Sequence, residues 1–152
     1  MTLQSKRDEL LAHYRQSIDD LKAAIAGLSE AQMVEPSIDG WSVKDNLAHV
    51  AFWHNLRAEE IGRISAGYAT TWHISGEEDE RLNDIVHSAR RDLPLDQALW
   101  ELDNSRQRLL HALAYATDRG LDPTLYGEAG LRSDHELEHA RYIRDWRQKH
   151  GI

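Results

Sequence analysis

The sequence predicts an all-α fold, a four-helix bundle with a short extra helix between the second and third long helices. Three observations lead there. Apolar residues recur at three- and four-residue steps through four long stretches. No strand pattern of alternating polarity persists. Only 3 prolines and 9 glycines interrupt 152 residues, which favours long helices over many short strands. At this length the chain reads as one domain, 1–152, able to bury roughly two-thirds of its unfolded surface without staples.

Each element has its own signal. Leu10, Leu11, Tyr14, Ile18, Leu21, Ile25 and Leu28 mark an amphipathic first helix over about 3–27. Gly27 and the polar stretch 29–40, with Pro36, end it and form the first connection. The second helix runs from Val43 to about Ser65, with Val43, Leu47, Val50, Ile61 and Ile64 on its apolar stripe. Ser42 is its N-cap, and Asp45 completes a variant of the capping box. Trp41, just before the cap, closes the start of the helix onto the core. Residues 67–76 read as a loop carrying Tyr68, Trp72 and His73. Residues 77–91 are dense in charge but hold Leu82, Ile85 and Val86 together, which predicts the short helix.

Pro94 opens the next long helix, at a position where proline is tolerated. Leu95, Leu99, Leu102, Leu109, Leu113 and Ala116 form its buried face, and Gly120 ends it. The stretch 121–132, with Pro123, Gly127 and Gly130, is a second connection. The last helix runs from Ser133 to about Lys149. Ser133 and Glu136 form a second capping box, and Arg144, Arg147 and Lys149 fall where the helix dipole favours cations.

Composition excludes several function classes. There is no cysteine, so neither a disulfide framework nor a thiolate metal site is available, and a cytoplasmic location is expected. The first residues, Met1 to Asp8, lack a signal-peptide core, and no apolar run is long enough to span a bilayer. Eighteen basic against 26 acidic residues give a net charge of −8, which argues against nucleic acid and anionic membranes as partners. No Gly-rich phosphate loop, G-x-S-x-G or H-E-x-x-H occurs.

The chemistry lies in the histidines. His135 and His139 are four residues apart, so they share one face of the last helix, about 6 Å apart along its axis. That spacing lets two imidazoles share one ion. The stripe continues as Tyr142 and Trp146, which reads as buried, so the pair points inward. At the start of a helix the dipole disfavours imidazolium, which keeps His135 neutral and able to bind metal. His49 stands on the flank of the second helix's apolar stripe and needs a polar partner. The three are read as converging on one metal ion.

The plainer reading weighs against this. Nine histidines yield on the order of half an H-x-x-x-H pair by chance, so the pair alone defines no site. His13, His87, His111 and His150 sit among charged or loosely patterned neighbours and read as exposed. His54 reads as a satisfied core residue, and His73 as a further candidate to approach the site. Asp45, one turn before His49, is a candidate to orient its ring, although its capping role competes. Asp134, Glu136 and Glu138 interleave the pair and read as a solvated face. Trp53 and Tyr142 are candidates to line a pocket, or simple core.

The run Trp41-Ser42-Val43-Lys44-Asp45-Asn46-Leu47-Ala48-His49, followed by Trp53, resembles the signature of the DinB-like superfamily, which includes the YfiT-like and mycothiol-dependent maleylpyruvate isomerase groups. Asp134-His135-Glu136-Leu137-Glu138-His139 with Ile143 and Trp146 resembles that superfamily's last-helix motif, and the resemblance covers nearly the whole chain. It implies a bundle with a divalent metal, typically zinc or nickel, on one histidine of the second helix and two of the last. Residue by residue these are His49, His135 and His139. Implied activities include isomerases and S-transferases that use a low-molecular-weight thiol, and a homodimer is common. The sequence stops just after the last helix, so the C-terminal domain of the larger isomerases is not expected. No thiol pocket is recognisable in 67–76.

Three readings follow: a metal-dependent thiol transferase, isomerase or hydrolase acting on a small molecule; a metal-free small-molecule binding or protection protein; and a bundle merely stapled by metal.

Overall fold

The computed structural model describes residues 2–72 and 76–152. Those residues form six α-helices and no strand: α1 (Leu3–Ile25), α2 (Glu30–Val34), α3 (Val43–Ser65), α4 (Gly76–Arg90), α5 (Leu95–Ala114) and α6 (His135–His150). Two short 3-10 turns, Pro123–Leu125 and Gly127–Ala129, lie in the connection before α6. The four long helices close a ring, α3 on α5, α5 on α1, α1 on α6 and α6 on α3, while α4 packs on α3. The predicted bundle with a short helix after its second long member is the fold. None of these helices is long and apolar enough to cross a membrane.

α3 organises the ring and buries 16 side chains. Its start is fixed twice. Ser42 Oγ accepts from Asp45 N at 2.9 Å, and Asp45 Oδ2 accepts from Ser42 N at 2.9 Å, the reciprocal capping box. Immediately before it, Ile38 and Trp41 exchange two backbone hydrogen bonds of 2.9 Å around Asp39 (φ 51°) and Gly40 (φ 86°). Two positive φ values in succession define a tight turn that suits glycine and tolerates aspartate, and this turn delivers Trp41 to the head of α3.

The apolar core is divided. One cluster takes in Leu11, Tyr14, Ile61, Ile64, Leu109, Leu113 and Tyr126. The other takes in Leu21, Val43, Leu47, Val50, Leu102, Ile143 and Trp146. Between them every long helix contributes a buried polar residue: Ser17, His54, Ser105 with Arg106, and Glu136. Glu136 is the centre of this layer. Its carboxylate accepts from Arg106 Nε at 2.8 Å, pairs also with Arg106 Nη2, and meets His54 Nε2 at 2.6 Å.

Several details correct the sequence reading. Glu136 is not a cap or a solvated side chain, because Arg106 and His54 hold it inward at 2% exposure. The N-cap of α6 is Asp134 without a side-chain bond, and Ser133 Oγ accepts instead from His135 N at 3.1 Å. The 29–40 stretch contains α2, whose Ser29–Gln32 capping box buries Met33. α5 ends at Ala114, well before Gly120. A Cβ at Gly120 would sit on Ser65 Oγ, so that glycine leaves room for the Ser65 side chain. Leu99 and Ile85 face solvent, and Ala98 takes the buried position on α5 instead. His73 lies outside the described residues.

Candidate metal centre

His49 stands two turns into α3, His135 opens α6, and His139 follows one turn later. Their rings meet. His135 Nε2 lies 2.9 Å from His49 Nε2 and 3.1 Å from His139 Nε2, and the ring centroids are 4.6 to 4.9 Å apart. His49 and His139 are buried and His135 is half-buried.

The neighbours decide which nitrogen of His139 carries its proton. Asn46 Nδ2 donates to Ser42 O at 2.9 Å, which orients the amide. Its Oδ1 then faces His139 Nδ1 at 2.6 Å and can only accept. His139 is therefore protonated on Nδ1 and presents a bare lone pair at Nε2. A protonated His135 Nε2 can donate to only one of its two neighbours, and a bare one sets its lone pair against that of His139, so one of the two close contacts is unsatisfied in either tautomer. A cation removes that conflict. Tetrahedral bonds of about 2.0–2.1 Å put ligand nitrogens roughly 3.3 Å apart; the two contacts of His135 need to open by only a few tenths of an ångström, and all three ligand atoms lie within 4.8 Å of one another. The donor set fits a divalent metal ion.

Electrostatics point the same way. Burial, then the charge on His87, pushes His49 down to about 4. Burial, followed by His139 and His49, pushes His135 down to about 2. Burial, then His49, pushes His139 down to about 3. All three shifts favour the neutral rings that metal ligation requires.

Asp45 makes no hydrogen bond to His49. Its carboxylate holds the α3 cap and lies 3.2 Å from His87 Nε2, while His49 Nδ1 is buried without a hydrogen bond. Trp53 presents its edge to His49 and His135, each at 6.4 Å, stacks on Trp72 at 5.5 Å and donates to Asn83 Oδ1 at 2.9 Å. Tyr142 sets its edge against His139 at 5.3 Å but is 42% exposed, so the stripe below the pair is only half buried.

Three residues near the cluster escaped the sequence reading. Asn46 is a polar residue on the most buried helix, and that mismatch was its only signal. His87 was expected to be exposed; it stacks on Trp41 at 4.5 Å, and Trp41 in turn presents its edge to His49 at 5.3 Å. Arg57, two turns beyond His49, is also buried. His54 is the core residue it was expected to be, and Glu136 satisfies its Nε2. His13 is half-buried against Ser133 O at 2.8 Å, whereas His111 and His150 are exposed as read.

Two cavities reach the cluster. One, of about 500 Å³, has His139 and Asn46 in its wall with Ile38, Trp41, Tyr142 and Trp146. The other, of about 560 Å³, has His49 and His135 in its wall with Trp53, Arg57, Trp72 and Asn83.

An all-α bundle whose second and last long helices bring three neutral imidazoles to one point defines a class, the DinB-like bundles with a candidate metal centre. Within that class, residues 14–145 match the mycothiol maleylpyruvate isomerase N-terminal domain family, and the chain belongs to it. No curated protein and no solved structure gives a significant match to the chain.

Proposed function

We propose that this chain is a divalent-metal-dependent enzyme that transfers a thiol to a small molecule, or isomerises one with a thiol's help. The convergence of three Nε2 atoms, one of them fixed as a lone-pair donor by Asn46, carries the reading. His49, His135 and His139 would hold a zinc or nickel ion. On three neutral ligands such an ion would keep its positive charge and supply Lewis acidity, which favours a thiol or water as its anion near neutral pH.

The chain's own residues do the rest. Asn46 holds the His139 tautomer. Trp41 and Trp53 wall the rings from opposite ends of the α3 face and exclude water. The two cavities suit a reaction of two small partners better than hydrolysis, because each reaches a different histidine of the set. Membership of a family named for mycothiol chemistry favours a low-molecular-weight thiol as one partner.

Elemental analysis of the purified protein tests this. One zinc or nickel per chain is expected, lost in His49→Ala with the bundle intact by circular dichroism. A metal-free native protein that also takes up none on dialysis would sink the reading. Unchanged metal content in His49→Ala would do the same. A metal-loaded protein with no turnover across a panel of thiols and electrophiles would leave the stapled-bundle reading in its place.

A further inference from the structure

Arg57 is a buried cation with no anionic partner among the described residues. It is 4% exposed. Its Nε donates to Gly130 O at 3.3 Å, its Nη2 donates to Ala129 O at 3.0 Å, and the guanidinium lies over the Trp72 ring, 4.9 Å from its centroid. All these partners are neutral, and among the described residues no carboxylate forms an ion pair with it. Arg106, buried to the same degree on the facing helix, is matched by Glu136. A charge taken out of water and left unpaired is costly, so its retention calls for a reason.

The geometry supplies one. The two carbonyls use one edge of the guanidinium. The Nη1 amino group and the second hydrogen of Nη2 remain, a planar fork that matches the two oxygens of a carboxylate. Arg57 lines the 560 Å³ cavity together with His49 and His135, so a ligand held by the fork lies within reach of the cluster. Three carboxylates also line this cavity. Asp134 and Glu138 are exposed on α6 or just before it, and Asp79 is half-buried on α4. None neutralises Arg57. They disfavour a bulky polyanion and leave room for a small carboxylate ligand.

We infer that Arg57 is the anion receptor of this cavity and takes the carboxylate of a small-molecule ligand whose other end faces His49 and His135. The inference rests on the reading above only in treating the cavity as the substrate site.

The test titrates the metal-free full chain with malonate at constant ionic strength, with malonamide as the neutral control. Trp53 and Trp72 report by fluorescence, and the Arg57 side-chain N–H resonances report directly. Saturable malonate binding is expected, with no response to malonamide. Arg57→Met should weaken binding at least tenfold, and Arg57→Lys, which keeps the charge but loses the fork, by an intermediate factor. No saturation up to about 50 mM, with zinc absent or present, would overturn the inference. So would equal binding by Arg57→Met. If Arg57→Met does not fold, unshifted guanidinium resonances in the wild type overturn it as well. Zinc uptake is measured on the same samples. A chain that takes zinc but not malonate loses the receptor and keeps the metal centre, and one that takes malonate but not zinc does the reverse.

Discussion

Acidification of the metal-free protein should unfold it over a window set by the three histidines. In the unfolded chain each takes a proton at about 6.5. In the fold they are held down to about 4, 2 and 3 for His49, His135 and His139. The folded pKa lies below the unfolded one, so the unfolded state binds more protons as pH falls. Their contribution is complete above the unfolded value and is lost as pH drops towards the folded values. Each silent histidine removes about 1.4 kcal/mol per pH unit once pH is well below 6.5, so between pH 7 and 5 the three together remove roughly 5 kcal/mol. A domain of this size is stable by about 5–15 kcal/mol, so the loss decides whether it stays folded. Urea unfolding at half-unit pH steps measures it. The variant with all three changed to glutamine should lack most of the slope. A wild-type change under 2 kcal/mol over that interval, or a triple variant that keeps the full slope, would refute the idea that these rings are held neutral.

Three further outcomes follow from the same contacts. Zinc affinity of the folded protein, measured by competition with a chelator, should change little from pH 7 to 5, because the ligands have no proton to release; a steep fall near pH 6.5 would contradict the neutral cluster. Asn46→Ala should weaken zinc binding about 10- to 100-fold, the usual effect of losing a ligand's orienting partner, while the melting temperature of the metal-free protein moves much less. Glu136→Ala leaves Arg106 buried and unpaired, so urea unfolding should show a loss of about 3–5 kcal/mol; a cost under 1 kcal/mol would mean that water or a neighbouring carboxylate reaches Arg106.

Most of the fold was legible because its signals are local. The α1 stripe and the Ser42–Asp45 capping box need only neighbours within a turn or two, and both stand as read. The misreadings share a different cause. Gly120 looks like a helix stop, but its small size serves a contact with Ser65 on another helix. Glu136 sits in a perfect capping-box register behind Ser133, yet a guanidinium 30 residues earlier and a histidine 82 residues earlier outcompete a backbone N–H. No local pattern carries that information. The three imidazoles were legible in part. His135 and His139 announce themselves by spacing, but Asn46, which fixes the role of His139, has no spacing rule of its own.

The divided core explains why the histidines meet where they do. Ser17, His54, Arg106 and Glu136 form one polar level through all four long helices. Sliding α6 by a turn along α3 would strip Glu136 from both His54 and Arg106 and bury three unpaired polar groups, whereas the apolar clusters on either side would tolerate a slide more easily. The polar level therefore sets the register between α3 and α6. His135 is the residue next to Glu136, and His49 lies five residues before His54. Once His54 and Glu136 are paired, the two helices have no freedom left in how His49 faces His135 and His139. The buried contact between His54 and Glu136 thus positions the candidate metal centre without touching it.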